Sequence, residues 1–371
     1  MEKIAVVLTN LGGPDNLQAV RPFLFNLFND RAILGMPQPF RWMLAQLLSR
    51  RREKPAQEIY RHLGGSSPLL DWTNKQAAAL QASLNGNDNS GDKGDDYKVF
   101  PLMRYWHPRA DEVVAAINTY QPDRICLIPL YPQFSTTTTA SSQEDFLRTV
   151  EGAPLSGNMS IDSLCCYPID DHFIAAHARL ILPILQKFQA AQEAAQEKTD
   201  QKVRVIFSAH GLPEKIIARG DPYQWQVEQT VDAVVDELGK QGAGDIDWRL
   251  CYQSRVGPMK WIGPTLDQTL KDAGAAGSAV IVVPIAFVSE HSETLVELDM
   301  EYREIAGQEG VVSYERIPAL GLVEDYIDCL AGMVRRVQGR GLDCPGADGF
   351  TCPGNFGHCP NVGADVRVDG K

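Results

Sequence analysis

The sequence lacks any run of about 18 apolar residues, so no segment is expected to cross a membrane as a helix. It also has fewer basic than acidic residues: 35 Lys and Arg stand against 47 Asp and Glu, for a formal net charge of -12. This balance argues against a nucleic-acid partner, which needs a basic surface. The apolar start "MEKIAVVLTNLGG" is too short for a secretory signal. We therefore expect the eight cysteines in a reducing cytosol, where disulfides are the less expected use.

What the sequence does contain is a series of short apolar runs separated by longer segments of helical pattern. Continuous apolar runs of this kind are typical of buried strands in parallel βαβ units. A chain of 371 residues can form two domains, so we expect two Rossmann-like α/β domains with a cleft between them. Each would hold a four-stranded parallel sheet flanked by helices. The predicted strands are residues 3–10, 97–105, 124–132, 160–168, 203–209, 246–254, 279–287 and 311–318.

A weak internal repeat favours two related domains. The segment "VLTNLGGP" (7–14) aligns with "IFSAHGLP" (206–213), with His210 in the place of Leu11. Chance similarity between two buried strands is an alternative explanation that stays open. The predicted division is an N-terminal domain, a second domain that carries the polar chemistry, and a C-terminal helix with a cysteine-rich tail: residues 1–168, 169–320 and 321–371.

His210 is the first candidate for chemistry. Ligands of open α/β sheets bind beyond the carboxyl ends of the strands, and "SAHGLP" places His210 at such an end. A lone histidine is more often structural, but a position in a turn after a strand favours a functional role.

A second candidate is the acidic stretch within "VPIAFVSEHSETLVELDMEY" (283–302), which contains no Lys or Arg between residues 290 and 301. We expect a helix from Ser289 or Ser292. Such a narrow acidic face suits a cation, or a transfer of protons between carboxylates of raised pKa. A plain acidic surface helix is the alternative. At 100° per residue the helix would place four carboxylates on one face: Glu290, Glu293, Glu297 and Glu301.

Aromatic and cationic residues mark two further strand ends and one helix. "MRYWHP" sets Arg104, able to pair with a carboxylate, beside Tyr105, and "GPMKWIGP" sets Trp261 between Gly-Pro turns. Residues 34–52 carry apolar side chains followed by three arginines, which is typical of a helix resting on an anionic membrane. A core-facing helix with a basic last turn is the alternative.

The C-terminal tail contains "CPGADGFTCPGNFGHC". Thiolates at Cys344, Cys352 and Cys359 could bind a metal, with a fourth ligand from Cys165 or Cys166. A zinc site that includes His358 is the competing interpretation.

Taken together, these motifs resemble the ferrochelatase family, whose members insert ferrous iron into a porphyrin to make haem. The resemblance runs from "LTNLGGP" to about residue 320 and keeps the family order of motifs. The motifs are "YRHLGGSSPL", "RYWHP", "YPQFSTTTTASS", "SAHGLP", "ARGDPY", "GPMKWIGP" and "VPIAFVSEHSETLVELDMEY". The family fold, two Rossmann-like domains around a porphyrin cleft, agrees with the repeat.

The resemblance implies a role for each candidate. His210 and Glu293 would be the catalytic pair that meets the iron substrate, and Glu297 and Glu301 would continue a path for protons or metal. The residues implied in porphyrin binding are Arg104, Tyr105, Trp261 and Leu11, the last being a position where this sequence departs from several relatives.

The resemblance also implies a cofactor and partners. The cysteines would hold a two-iron two-sulfur cluster through Cys344, Cys352, Cys359 and either Cys165 or Cys166. Residues 34–52 would form the lip that touches the cytoplasmic membrane, and the protein would be cytoplasmic, with a homodimer left as an open alternative to a monomer. Protoporphyrin IX is the expected substrate. Coproporphyrin insertion, a cobalt chelatase and a binding module without chemistry are the alternatives.

Overall fold

The computed structural model describes residues 1–86, 94–152, 159–194, 203–342 and 350–361. By its internal packing the chain divides into two compact units. The first unit comprises Met1–Cys166, Ile327–Gly354 and the chain from Cys359 onward, and the second comprises Tyr167–Tyr326 and Asn355–His358.

The first unit contains a parallel sheet of four strands in the order β2-β1-β3-β4. Seven of the eight residues of β1 are buried, as expected for a central strand covered on both faces. The strands are β1 (Lys3–Asn10), β2 (Asp96–Met103), β3 (Arg124–Pro129) and β4 (Ser160–Ser163). The helices are α1 (Val20–Phe28), α2 (Phe40–His62), α3 (Leu69–Asn85), α4 (Ala110–Tyr120) and α5 (Thr139–Gly152).

The second unit repeats this arrangement with the order β6-β5-β7-β8, again all parallel. Its strands are β5 (Val203–His210), β6 (Asp247–Gln253), β7 (Ala279–Pro284) and β8 (Ser313–Arg316). Its helices are α6 (Asp171–Ala194), α7 (Glu214–Ile217), α8 (Tyr223–Lys240), α9 (Leu266–Ala275), a π-helix (Glu293–Glu301) and α10 (Tyr302–Gln308). The last helix, α11 (Glu324–Val337), begins in the second unit and ends in the first.

The predicted fold class is confirmed: all eight predicted runs contain a strand, four to each parallel sheet. The strands β1 and β5 hold the same place in their sheets, and the two segments of the internal repeat lie at their carboxyl ends. The described part of the chain has no helix that combines the length and apolar character needed to cross a membrane.

The described residues between Ile327 and Gly354 pack with the first unit. Asp162 of β4 explains part of this, because its carboxylate accepts hydrogen bonds from Gly339 N (3.1 Å) and Gly341 N (2.7 Å). The Gln338 amide donates to the Tyr97 hydroxyl of β2 at 3.0 Å. These contacts fasten the end of α11 to the first sheet.

Candidate active site

A histidine–carboxylate pair lies at the carboxyl end of β5. His210, the last residue of that strand, places Nδ1 2.8 Å from Glu293 Oε2 at the start of the π-helix. The two side chains keep 37% and 25% of their exposure, so both are open to a ligand. Burial opposes charge on either group, but the partner outweighs it: Glu293 raises the pKa of His210, and His210 lowers the pKa of Glu293. Both shifts favour the ion-paired form, with a protonated His210 beside an ionised Glu293.

The neighbouring elements hold this pair in place. The Tyr223 hydroxyl at the start of α8 donates to the His210 carbonyl oxygen at 3.0 Å. Gln253 stands beside His210 in the parallel register of β5 and β6, and its amide donates to the Glu293 carbonyl oxygen at 3.3 Å. Both partners of the pair are thus fixed through their backbones, which leaves their side chains available for chemistry.

Trp261 lies beside His210, where short backbone contacts bring it. Ile262 N donates to Leu212 O at 2.9 Å, which draws the loop onto the turn after β5. Gly211 is needed there, because an added Cβ would lie 3.2 Å from Cε3 of the Trp261 ring. The ring centroids of His210 and Trp261 are 6.4 Å apart at an interplanar angle of 75°. Trp261 therefore forms an aromatic wall next to the pair.

Ser254, which the sequence analysis did not select, connects the two carboxylates. Its hydroxyl donates to Glu297 Oε2 at 2.6 Å and lies 3.4 Å from Glu293 Oε2. Its φ of 64° is in the left-handed region, which costs free energy for a residue other than glycine. The signal was its position: Ser254 directly follows β6, the neighbour of β5, and parallel strands end at one edge of the sheet.

A second histidine of the site was also missed. His291 Nε2 lies 3.9 Å from Glu293 Oε2, and its ring packs on Phe287 with centroids 4.8 Å apart. Burial lowers the pKa of His291, so its imidazole is neutral at physiological pH. Its Nδ1 is buried without a hydrogen-bond partner among the described residues. The motif "SEHSET" contains His291 two residues before Glu293, and this position was the signal that could have identified it.

The acidic stretch is only partly unpaired, which corrects the prediction of a free carboxylate face. Arg316, the last residue of β8, binds Glu290 Oε1 at 2.8 Å and Asp299 Oδ2 at 2.6 Å. Glu290 Oε1 also accepts a hydrogen bond from Ala319 N at 2.9 Å. Arg316 lies outside the acidic stretch (290–301) in sequence and reaches it only because β8 is the edge strand beside β7. Glu290 therefore belongs to a buried ion-pair cluster and not to the row formed by Glu293, Glu297 and Glu301.

The remaining carboxylates follow a π-helix rather than the predicted α-helix. The hydrogen bonds of a π-helix reach one residue further than those of an α-helix, so its turn is wider. Glu293, Glu297 and Glu301 are spaced four residues apart. In the wider π-helix this spacing is closer to one full turn than it would be in an α-helix of 3.6 residues per turn. Exposure increases along this row, from the partly buried Glu293 and Glu297 to the exposed Glu301.

Glu297 has the protonation behaviour of a group that exchanges protons at neutral pH. Burial, reinforced by the nearby Glu293 carboxylate, raises the pKa of Glu297 to about 7. The Ser254 hydrogen bond opposes this shift but does not cancel it. Glu293 and Glu297 therefore have different protonation states near pH 7 because of their different partners.

In the first unit, Arg104 and Tyr105 surround Asp30. The Arg104 guanidinium lies 3.0 Å from Asp30 Oδ2 and 3.2 Å from Asp145 Oδ2. The Tyr105 hydroxyl donates to Asp30 Oδ2 at 2.7 Å, and Tyr105 is 1% exposed. Leu11 is partly buried, packs in the same apolar cluster, and its carbonyl accepts from Tyr105 N at 3.0 Å. Both polar side chains are engaged within the protein, and their role in porphyrin binding stays a prediction.

Four of the five candidate cluster cysteines come together in the first unit. The Cys165 thiol is hydrogen bonded to Cys166 and Cys359, and Cys359 is hydrogen bonded to Cys352. All four are buried. The hydrogen bond with Cys165, together with burial, raises the pKa of Cys359 to about 12. Cys344 lies outside the described residues. Within the described ranges, no group of three or more His, Cys, Asp and Glu is already arranged as a metal site.

Comparison with known proteins identifies the family. The chain is 48% identical over 363 residues to ferrochelatase of Caulobacter vibrioides, covering 97% of each protein. It is 44% identical over 359 residues to ferrochelatase of Pelagibacter ubique, covering 96% of this chain and 98% of that protein. The solved structure of SirB from Bacillus subtilis with Fe3+ shares the fold, with a TM-score of 0.51 at 12% identity, over 92% of this chain and 97% of that one.

Two parallel α/β units and these relatives define an enzyme of the metal chelatase class. Residues 3–338 match the family model described as Ferrochelatase. The chain belongs to the ferrochelatase family, as the sequence resemblance predicted.

Proposed function

We propose that the protein inserts ferrous iron into protoporphyrin IX, with release of two protons, as the last step of haem synthesis. The observation that carries this proposal is the His210–Glu293 pair, which is open to a ligand and continues into a row of carboxylates of increasing exposure. A binding module has no need of a proton acceptor beside a path for cations. The pair is also the point where the family resemblance and the geometry coincide.

The proposed chemistry follows from the charges of the pair. Porphyrin metalation replaces two pyrrole N–H protons with one Fe2+, so the site must take up protons and bind a cation. An approaching Fe2+ favours loss of the His210 proton to solvent by way of Glu297 and Glu301, since two neighbouring cations repel. The freed imidazole and the Glu293 carboxylate can then accept a pyrrole proton or contact iron. Glu297, with its pKa near 7, would pass protons toward the exposed Glu301 and solvent.

We propose the porphyrin contacts from the sequence motifs "RYWHP" and "GPMKWIGP". Trp261 supplies a flat apolar wall next to His210. Arg104 and Tyr105 act through the Asp30 network in the first unit, and Leu11 packs on it. Coproporphyrin as substrate and cobalt as metal are the alternatives.

The direct test is an anaerobic assay of purified protein with Fe2+ and either protoporphyrin IX or coproporphyrin III, followed by the absorbance change on metalation. Faster insertion into protoporphyrin supports the proposal. A preference for coproporphyrin, or for Co2+ over Fe2+, selects an alternative. Porphyrin binding without metalation under all these conditions overturns the proposed activity.

The raised pKa of Glu297 predicts a pH dependence. If the carboxylate relays protons, its ionised form is the active one, so kcat/KM should rise with pH through about 7. Glu297→Gln should remove this rise and lower the plateau by about tenfold to a hundredfold. The exposed Glu304→Gln is the matched control and should keep the wild-type profile. A profile of Glu297→Gln that overlays the wild type would rule out the relay.

We propose that α2 makes peripheral contact with the cytoplasmic membrane, so the protein would be cytoplasmic and membrane-associated. The first turns of α2 expose large apolar side chains, next to the exposed Arg50, Arg51 and Arg52. An apolar patch beside basic residues suits an anionic bilayer surface. The exposed side chains are Phe40 (66%), Trp42 (49%), Met43 (61%) and Leu47 (62%).

Sedimentation with anionic liposomes tests this contact. Trp42→Glu with Leu47→Glu should move most of the protein from the pellet to the supernatant. The double change replaces exposed apolar side chains, which would enter the bilayer surface, with negative charge. Val312→Glu with Leu322→Glu makes the same charge change at exposed apolar residues elsewhere and should leave binding unchanged. Wild-type protein that never sediments with the liposomes would contradict the proposal.

The homodimer implied by the family is also a proposal, and sedimentation equilibrium tests it.

We propose that the cysteines hold a two-iron two-sulfur cluster through Cys165, Cys352, Cys359 and Cys344. The donor chemistry of the described residues fits, because Cys359 is hydrogen bonded to both Cys165 and Cys352, and all three thiols are buried. When bound, such a cluster would fasten the tail to the body of the protein. Cys165 is favoured over Cys166 because it is the one hydrogen bonded to Cys359.

Anaerobically purified protein should be reddish-brown with about two irons per chain. Cys165→Ser should lose the colour and the iron, whereas Cys166→Ser, the neighbouring buried thiol, should keep both. Colourless wild-type protein with one zinc per chain would favour the zinc site with His358 instead.

A further inference from the structure

The tail segment Asn355–His358 packs within the second unit, although the chain on either side of it belongs to the first. It meets the loop between α7 and α8, where His358 N donates to the Gly220 carbonyl oxygen at 3.2 Å. It also meets α8, where the Phe356 ring packs on Trp225 with centroids 5.6 Å apart and planes 33° apart. The segment therefore touches the start of α8 at two points, one before Tyr223 and one after it.

Gly220 is adapted to this contact in two ways. Its φ of 97° is in the region that favours glycine. An added Cβ would also lie 2.9 Å from Gly357 N and 3.3 Å from Asn355 O, which are backbone atoms that cannot turn aside. The loop and the tail are thus fitted to each other at the level of the backbone. Gly242, at the other end of α8, has a similar φ of 86° but would meet nothing within 4 Å.

Tyr223 connects this contact to the active site. Its backbone N–H donates to the Asp221 carboxylate at 3.0 Å, in the loop that the tail holds. Its hydroxyl donates to the His210 carbonyl oxygen at 3.0 Å. A shift of the loop or of the first turn of α8 would therefore move the hydroxyl that fixes the end of β5.

We propose that tail segment 355–358 is a positioning element for His210, acting through the Gly220 loop and Tyr223. The proposal rests on the catalytic role assigned to His210 above. It gives the C-terminal tail an effect on the reaction that does not require any tail residue to touch the substrate. Cys352 and Cys359 flank the segment in sequence. Binding or loss of a cluster at these cysteines would therefore also affect the position of His210 by this route.

Three variants of the full-length protein interrupt the connection at successive points: Phe356→Ala, Gly220→Ala and Tyr223→Phe. We expect each to lower kcat by about tenfold to a hundredfold with little change in the KM for porphyrin, because a misplaced catalytic group affects the reaction more than the binding. Gly242→Ala carries the same backbone strain without the tail contact and should keep the wild-type kcat. Phe356→Tyr keeps the ring and should restore kcat.

A second readout does not depend on activity. The His210 ring signals, recorded by NMR at one fixed pH and assigned by their loss in His210→Ala, should move in Phe356→Ala and Gly220→Ala in the same direction as in Tyr223→Phe. Unmoved signals in Phe356→Ala, or equal shifts in Gly242→Ala, would overturn the proposal. If Gly220→Ala does not fold, the other two variants decide the question. Turnover retained by His210→Ala would overturn the proposed function instead, while the NMR comparison would still test the connection.

Discussion

His210→Ala should lower the rate of iron insertion by at least about a hundredfold, since general acid–base catalysis by a positioned side chain contributes about 10²–10⁴. The effect should exceed the loss of one proton acceptor, because Glu293 then loses the partner that keeps its pKa low. The fold should survive, because the His210 side chain is 37% exposed and contributes little to the core. The measurement is anaerobic turnover with Fe2+ and protoporphyrin IX, with circular dichroism on the same samples.

The exposed His172 of α6 provides the matched control, and His172→Ala should keep wild-type turnover. Near-normal turnover of His210→Ala with an intact spectrum would refute the catalytic assignment. Loss of turnover together with loss of the spectrum would instead show that His210 supports the fold.

Arg316→Met should lower the free energy of unfolding by about 3–5 kcal/mol, the usual cost of leaving buried carboxylates without their partner. The Arg316 side chain is 8% exposed and Glu290 is 10% exposed, so solvent cannot replace the lost cation. Glu290 would remain without a cation, and Asp299 would keep only the exposed Arg303, 3.9 Å away. Urea denaturation followed by fluorescence measures the change.

Arg303→Met is the control, because Arg303 is 48% exposed and lies 3.9 Å from the same Asp299. Exposed pairs contribute about 0–1 kcal/mol, so this variant should unfold close to wild type. Adding Glu290→Gln to Arg316→Met should recover part of the loss, because it removes a buried charge. Equal effects of Arg316→Met and Arg303→Met would show that the buried cluster contributes no special stability.

The strands were predictable because their signal is local. A central parallel strand such as β1 is buried on both faces, and this produces an uninterrupted apolar run in the sequence. The position of His210 was predictable for a related reason, since a polar residue that ends such a run must lie at the edge of the sheet. Neither inference needed knowledge of which strands are neighbours.

The contacts of the missed residues can be predicted only when the order of the strands is known. Arg316 reaches Glu290 from the end of β8, and Ser254 reaches Glu297 from the end of β6. Their sequence separation from the acidic stretch hides the contact until the strand order is known. The π-helix was missed because a period of 3.6 residues was assumed, and no apolar pattern in the stretch distinguished the wider turn. The sequence thus specified the components of the site better than their pairing.

The division of the first unit along the chain has a consequence for its synthesis. Helix α11 supplies buried residues from Leu330 to Val337, yet the ribosome must make all of residues 167–326 before this helix appears. At about 5–20 residues per second, that takes roughly 8–32 s. During this interval the nascent first unit lacks a helix that its folded form contains, while the second unit can already begin to fold. A chain truncated after Tyr326 should therefore present a first unit that proteases cleave more readily than they cleave it in the full-length protein.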